Sequence, residues 1–311
     1  MILLLGGGGF IGRNVQRVLR RKRLDYYVIE RDTIFFVGFQ TGRREPNKRL
    51  IEGCFIDNIS ALVPEVIVDF VSSTPVAYNA CHPHQIKAQV CGIRDRLLNA
   101  ISKKSLRAYV YISSGGVIYD PALTRPLRED DDLFPNSNYA RSKIILEKYI
   151  KKIADEFALE YVVLRPSNPY GYFQKIGIGQ GVVAEWINKI RLGEKVQIFG
   201  GLDNTRDYIF VSDLAEIIVN FVLARSLPCE TFNVGTNSGT TLEALLEKIS
   251  DMLGIRAKLC FAGSSLLPIT YNVLCNEKLL SYNPSIEFTS LDLGLRKYDR
   301  AARRTMNFGQ K

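Results

Sequence analysis

The chain begins Met1-Ile2-Leu3-Leu4-Leu5 and passes without a spacer into Gly6-Gly7-Gly8-Gly9-Phe10-Ile11-Gly12. A glycine run placed there can neither extend a strand nor start a stable helix, so it must form a tight turn. The residues after it, Gly12–Arg23, have the apolar spacing of an amphipathic helix. Gly7, Gly9 and Gly12 satisfy GxGxxG, and Gly6, Gly9 and Gly12 satisfy GxxGxxG. Such glycines let backbone N–H groups approach a pyrophosphate at the helix N-terminus, where the helix dipole favours an anion. A second apolar run, Tyr26–Ile29, leads to Glu30, 21 residues past Gly9. An acid at that distance accepts the adenosine ribose hydroxyls of a dinucleotide and repels a 2′-phosphate, which points to NAD; Arg31 beside it pulls the other way, towards NADP.

Further apolar runs, Val66–Val71, Ala108–Ile112 and Tyr161–Leu164, read as strands, and Gln85–Ser102 and Ser142–Phe157 read as amphipathic helices. Strands alternating with helices predict an α/β fold: a doubly wound, Rossmann-type parallel sheet whose ligand lies beyond the carboxyl ends of the strands. After Arg165 the pattern breaks into loops and shorter elements around the Gly- and Pro-rich stretch Pro166–Gly181. The expected organisation is a dinucleotide-binding domain over 1–165 and a smaller, mixed α/β substrate lobe over 166–311, with 206–237 returning to the first domain.

At 311 residues and 46% hydrophobic the chain is long and apolar enough for a packed core, which excludes disorder and small disulfide scaffolds. No apolar run reaches the roughly 20 residues of a membrane span, and a soluble cytoplasmic protein is expected. Cys54, Cys81, Cys91, Cys229, Cys260 and Cys275 form neither CxxC nor a Cys/His set at ligand spacing, so no metal site is expected. His82 and His84 flank Pro83 and read as loop residues. The net charge of +9 is concentrated in Arg13, Arg17, Arg20, Arg21, Lys22 and Arg23 and in a tail from Arg296 to Arg304. Helical spacing without interleaved aromatics makes these solvated helix faces rather than a nucleic-acid site; contact with an anionic substrate or membrane surface is the alternative.

Tyr139-Ala-Arg-Ser-Lys143 stands at the start of a predicted helix, and a spacing of four puts Tyr139 and Lys143 on one face. There the ammonium is expected to pull the phenol down from about 10 towards a working pH, making it a usable acid or base for alcohol and ketone chemistry. Upstream, Ala108–Ile112 opens into Ser113-Ser114-Gly115-Gly116-Val117. A strand-end serine can hydrogen-bond a substrate hydroxyl and share its proton with the tyrosine.

These motifs, with Leu164-Arg165-Pro166-Ser167-Asn168-Pro169-Tyr170-Gly171 and Arg206-Asp207-Tyr208-Ile209-Phe210-Val211-Ser212-Asp213, resemble the extended short-chain dehydrogenase/reductase family. The likeness is closest to its nucleotide-sugar epimerase/dehydratase branch of surface-polysaccharide clusters, and it runs on through Phe232–Gly235 to Leu291–Tyr298. It implies that Tyr139 takes the proton from a sugar 4-hydroxyl while NAD takes the hydride from carbon 4, the ketose then turning to receive it on the other face. It implies a cofactor site of Gly6, Gly9, Phe10, Ile11, Gly12, Glu30, Arg31, Asp57, Phe70, Val71, Ser72, Gln89, Tyr139, Lys143 and Pro166. Ser114, Asn168, Val182, Phe199 and Arg206 would face a nucleotide-sugar, most simply a UDP-sugar, and a homodimer would form through a bundle including the Tyr139 helix, whose stripe Ile144, Ile145, Ile150, Ile153, Phe157 could serve.

The chain departs from the family's pattern at named places. Gly115 stands where a Ser or Thr is usual, leaving Ser114 or Ser113 to supply the hydroxyl. Gly116-Val117 replace the carboxylates of the dehydratases and decarboxylases, which removes the general base for carbon 5 and leaves chemistry at carbon 4. Cys54 replaces an adenine-contacting Asp, with Asp57 close by; Gln89 replaces an Asn; Ser265 replaces a second diphosphate-binding Arg. The expected activity is an NAD-dependent 4-epimerase of a nucleotide-linked hexose or N-acetylhexosamine. A 4-keto-sugar reductase and a catalytically silent dinucleotide binder are the rivals.

Overall fold

A computed structural model describes residues 1–30, 33–39, 47–51, 62–71, 91, 94–95, 98, 106–176, 181–262 and 269–307. The readings that involve Arg31, Cys54, Asp57, Ser72, Cys81, His82, His84, Gln89 and Ser265 lie outside the described residues. The chain forms two compact units: Met1–Ile118, Pro135–Arg165 and Ala215–Phe232 make the first, and Tyr119–Phe134, Pro166–Leu214 and Asn233–Lys311 the second.

The strands are β1 (Ile2–Leu5), β2 (Tyr26–Glu30), β3 (Thr33–Gly38), β4 (Asn47–Ile51), β5 (Val66–Asp69), β6 (Ala108–Ile112), β7 (Glu160–Pro166), β8 (Asn168–Tyr170), β9 (Lys195–Phe199), β10 (Thr205–Phe210), β11 (Glu230–Val234), β12 (Gly239–Thr241), β13 (Lys258–Ala262) and β14 (Tyr271–Asn272). An eight-stranded sheet runs in the order β11-β7-β6-β5-β1-β2-β3-β4. Pairing is parallel from β7 through β6, β5 and β1 to β2, with Leu5 opposite both Ile29 and Asp69 and Ile112 opposite Leu164. Every residue of β1, β5 and β6 is buried. Strands covered on both faces read as continuous apolar runs, which is why these stood out in the sequence. From β1 the chain goes first to β2 on one side and then to β5, β6 and β7 on the other. The reversal makes the carboxyl end of β1 a switch point, the usual place for a ligand in such sheets. Beyond β2 the sheet continues antiparallel through β3 and β4, an extension the sequence reading did not anticipate.

Helix α1 (Phe10–Arg21) follows the glycine turn, burying Val15, Val18 and Leu19 while Arg13, Arg17, Arg20 and Arg21 are exposed. Its basic face is therefore solvated, with Arg21 paired to Glu216 at 2.5 Å. Helix α2 (Asn138–Phe157) starts earlier than the sequence suggested because Ser137 caps it, its hydroxyl accepting the Ala140 N–H at 3.1 Å. Most of its apolar stripe is core: Ile150 and Ile153 are buried with Leu3, Leu5, Ile67 and Tyr109, and Ile145 and Phe157 pack on them, whereas Ile144 is half-buried outside that cluster. An inward-facing helix accounts for that stripe without a second subunit.

In the second unit β12, β10 and β14 form a small sheet to which β8 adds by pairing with β10, and β9 pairs with β13 in parallel. Helices α3 (Val182–Arg191), α4 (Val211–Leu223), α5 (Leu242–Leu253), α6 (Glu277–Tyr282) and α7 (Leu291–Asn307) complete the described elements. Trp186, Ile190, Ile198, Phe210, Leu245 and Leu295 centre this unit's core.

Candidate functional site

The glycine turn takes its shape from backbone contacts that side chains would prevent. Gly6 has φ +76°, donates its N–H to Ile29 O at 2.9 Å and accepts the Gly9 N–H at 3.1 Å. A Cβ on Gly12 would lie 2.5 Å from Gly7 O, so the helix rests directly on the turn. Gln16 secures the same carbonyl from within the helix at 2.9 Å. The N-cap of α1 is Gly9, which offers no side-chain hydrogen bond, and the first helical turn has no acidic residue. Its N–H groups and dipole are thus left to an anion, and a Cβ on Gly9 would meet only Gly6 O at 3.4 Å. The Glu30 carboxylate lies over Gly8, within 2.4 Å of where a Cβ would stand, which brings the acid at the end of β2 onto the loop. Phe10 and Ile11 open the helix. These residues fit the pyrophosphate and ribose of a dinucleotide.

Val71 packs against the turn, its Cγ2 2.8 Å from a Cβ built on Gly6. The peptides around it are held at both ends: Asp69 accepts the Val71 N–H at 2.9 Å, and Arg94 donates to Val71 O at 2.9 Å. Asp69 and Arg94 are fully buried and paired at 2.5 Å, and the Tyr109 hydroxyl donates to Asp69 at 2.8 Å. Burial opposes the Arg94 charge, but Asp69 beside it prevails and holds the guanidinium above its usual range. Phe70, between the two, donates its N–H to Leu5 O at 3.0 Å. This clamp was not found from the sequence; an Asp ending an apolar strand was its one signal. Pro166 is buried at the end of β7.

The end of β6 is joined to one face of α2 by two successive residues, and a third stands beside Tyr139. Lys143 Nζ donates to Ile112 O at 2.8 Å. The Ser113 hydroxyl donates to Glu147 at 2.5 Å. The Ser114 side chain stands near enough to the Tyr139 phenol to lower its pKa. Of the two serines, Ser113 has its hydroxyl on Glu147, whereas Ser114 is the one whose side chain acts on the Tyr139 phenol.

The electrostatics differ from the sequence expectation. Burial pushes the Tyr139 phenol above its usual value, and the Ser114 side chain only partly opposes it. The Lys143 ammonium, which was expected to do that, stands 5.7 Å from the ring centre and is bonded to a carbonyl. It is itself pushed down to about 8 by burial, against the pull of Asp69 and Glu147. Glu147 and Arg165, paired at 2.7 Å and almost wholly buried, were missed from the sequence, although Glu147 continues the four-residue spacing of Tyr139 and Lys143.

In the second unit Asn168, Val182, Phe199 and Arg206 line one pocket of about 240 Å³, so the sequence-predicted substrate residues of this unit converge. Phe199 is 59% exposed, an aromatic face open to a planar ring. Asn168 donates to Asp207 O at 2.9 Å. Arg206 departs from expectation: part of its fork goes to the carbonyls of Thr205 at 2.9 Å and Ile269 at 2.6 Å rather than being left for two phosphate oxygens. Burial lowers its affinity for the proton, against the opposing influence of Tyr208. Gln174 Oε1 and the Tyr208 hydroxyl, on residues lining the same pocket, are buried without a hydrogen-bond partner. Orphaned polar atoms on a pocket's residues suit a polar ligand. Among the described residues no cluster of His, Cys, Asp and Glu could hold a metal, and no helix is long and apolar enough to cross a membrane.

Residues 2–235 match the NAD dependent epimerase/dehydratase family. The chain belongs to that family. Its glycine turn, Glu30 and Tyr139/Lys143 thus fall within a matched region that covers most of the protein, and its cofactor is NAD. The chain is 29% identical over 272 residues, 84% of each protein, to dTDP-4-dehydro-6-deoxyglucose reductase of Escherichia coli. It is 32% identical to the UDP-glucose 4-epimerase of Mycolicibacterium smegmatis over 159 residues, 51% of this chain and 50% of that one. Its structure is similar to that of the Thermotoga maritima UDP-glucose 4-epimerase crystallised with UDP-glucose, with TM-score 0.83, 26% identity, and 98% and 99% of the two chains covered.

Proposed function

We propose that the protein is an NAD-dependent 4-epimerase of a nucleotide-activated hexose or N-acetylhexosamine. The observation that carries this reading is the pairing of Tyr139 with the buried Lys143 one helical turn on, whose Nζ lies 5.7 Å from the Tyr139 ring centre and is held on Ile112 O at 2.8 Å. The bound dinucleotide supplies a hydride acceptor that can return what it takes. The protein's own groups handle the proton. Tyr139 takes it from the sugar 4-hydroxyl as the alcohol becomes a ketone and gives it back when the alcohol re-forms. Ser114 stabilises the phenolate form, and Lys143 adds positive charge to the same helix face. Gly116-Val117 put no carboxylate beside this group, which supports confinement of the chemistry to carbon 4 rather than dehydration. The pocket of Asn168, Phe199 and Arg206 is assigned to the nucleotide part of the substrate, with UDP its simplest occupant.

A 4-keto-sugar reductase is the second reading. It is favoured by the Escherichia coli reductase relative and by the raised Tyr139 phenol, whose neutral form is the one that donates a proton to a keto oxygen. Incubation with NAD and, separately, UDP-galactose and UDP-N-acetylgalactosamine tests the first reading. It requires conversion to the 4-epimer without net NADH, lost in Tyr139→Phe. No conversion of either sugar, with stoichiometric NADH or NADPH oxidation on a 4-keto sugar, transfers the assignment to the reductase.

A further inference from the structure

Glu147 is 3% exposed and its carboxylate is fully used. One oxygen accepts from Ser113 Oγ at 2.5 Å and Arg165 Nε at 3.1 Å, and the other from Arg165 Nη2 at 2.7 Å. Ser113 N–H donates to Leu164 O at 2.7 Å, and Leu164 is the neighbour of Arg165. Ser113, Leu164, Arg165 and Glu147 therefore close a ring of bonds joining β6, β7 and α2. Ser113 sits between the two residues that face Lys143 and Tyr139: Ile112 receives the ammonium on its carbonyl, and the Ser114 side chain acts on the phenol. With both its amide and its hydroxyl fixed, Ser113 can rotate neither towards nor away from α2, so the peptides on either side of it have one orientation.

We propose that Glu147 is a positioning residue, whose tie to Ser113, anchored by Arg165, keeps Ile112 O against Lys143 and the Ser114 hydroxyl against Tyr139. A buried ion pair is a weak way to gain stability compared with apolar packing, but it is an effective way to specify one arrangement of the groups bonded to it. The inference rests on the role assigned above to Tyr139, and it predicts a loss in turnover with no loss in ligand binding.

The charge is tested with Glu147→Gln. Because that leaves Arg165 buried without its counter-ion and the variant can fail to fold, the tie itself is tested with Ser113→Ala, which leaves the ion pair whole. In Ser113→Ala, backbone hydrogen exchange across Ile112–Ser114 rises while the rest of the sheet is unchanged. In the same variant kcat falls about tenfold to a hundredfold, with KM and dinucleotide affinity preserved. Ser113→Thr, which restores the hydroxyl, recovers both. Unchanged exchange and unchanged kcat in Ser113→Ala would overturn the proposal, and so would a general rise in exchange with normal kcat. If Tyr139→Phe is fully active, the assignment of Tyr139 has failed instead, and the exchange measurement alone decides whether Glu147 orders the strand end.

Discussion

Ser114, just past the end of β6, is the side chain that offsets part of the burial raising the Tyr139 phenol on α2. Removing the hydroxyl in Ser114→Ala leaves burial unopposed, so the Tyr139 pKa rises further. Oxidation of the sugar alcohol needs the phenolate, so the ascending limb of the pH–rate profile should move to higher pH. The rate at neutral pH should fall by about 10²-fold or more, the usual scale for a general acid–base contribution. Steady-state rates of wild type and variant across the pH range check this; superimposable profiles would show that Ser114 has no part in proton transfer.

Lys143 carries a stability cost whose pH dependence can be signed. Its folded-state pKa is about 8, below the ordinary 10.5. The folded state thus disfavours the ammonium relative to the unfolded chain, and between these values the unfolded state binds more protons. The cost is present in full below about pH 8 and is relieved as pH rises towards 10.5. Its size is on the order of 3 kcal/mol for a shift of this extent. Lys143→Met has no such term. Urea midpoints at pH 7 and pH 10 should therefore show wild type gaining on Lys143→Met with rising pH, and a constant difference between them would contradict the charge state inferred for Lys143.

Two glycines of the turn separate folding from binding. A Cβ on Gly12 meets Gly7 O at 2.5 Å and Gly7 Cα at 2.6 Å, and these backbone atoms cannot move without opening the turn. Gly12→Ala should destabilise by about 2 kcal/mol or more, as overpacking does, and lose NAD as a consequence. Gly9→Ala finds room in the protein, its one neighbour being Gly6 O at 3.4 Å, and its φ of −72° suits alanine. It should keep its Tm within a degree or two while dinucleotide affinity drops about tenfold or more, because the methyl group occupies the approach to the helix N–H groups. Thermal melts beside calorimetric NAD titrations distinguish the two; equal NAD affinity in Gly9→Ala and wild type would remove the turn from the cofactor site.

What the sequence revealed follows from where the signals are local. Ile2–Leu5 and Ala108–Ile112 are observed as predicted because a strand buried on both faces has no polar residue to blur its limits. The glycine turn was legible because its steric demand falls on consecutive residues. The start of α2 was missed by four residues because the cap at Ser137 lies in a polar loop that also reads as a turn. The strand pair β3 and β4 was missed because it extends the sheet antiparallel where the alternation of strands and helices stops. Within the site, Tyr139 and Lys143 were legible by spacing. Their electrostatics were not, since burial at Tyr139 and the bond from Lys143 to Ile112 O depend on β6, some 30 residues away in the chain. Glu147 with Arg165 and Asp69 with Arg94 are pairings between distant segments, and each member alone looks like an ordinary charged residue.

The pocket of the second unit carries its own reporter. Trp186 is the chain's single tryptophan and lines that pocket, while Phe199 is exposed at it. UDP alone should change the Trp186 emission in a saturable way, with no sugar and no turnover needed. Because Phe199 is 59% exposed, Phe199→Ala removes little packing and should leave Tm unchanged. If its ring covers the face of the base, the variant should weaken UDP by about 1–3 kcal/mol, the range for base–aromatic stacking, or roughly 5- to 150-fold in Kd. Titration of wild type and Phe199→Ala at equal ionic strength measures this directly. A full emission change with unaltered Kd in the variant would keep UDP in the pocket but remove Phe199 from its recognition. No emission change in the wild type would move the nucleotide elsewhere and return the orphaned Gln174 and Tyr208 atoms to a different ligand.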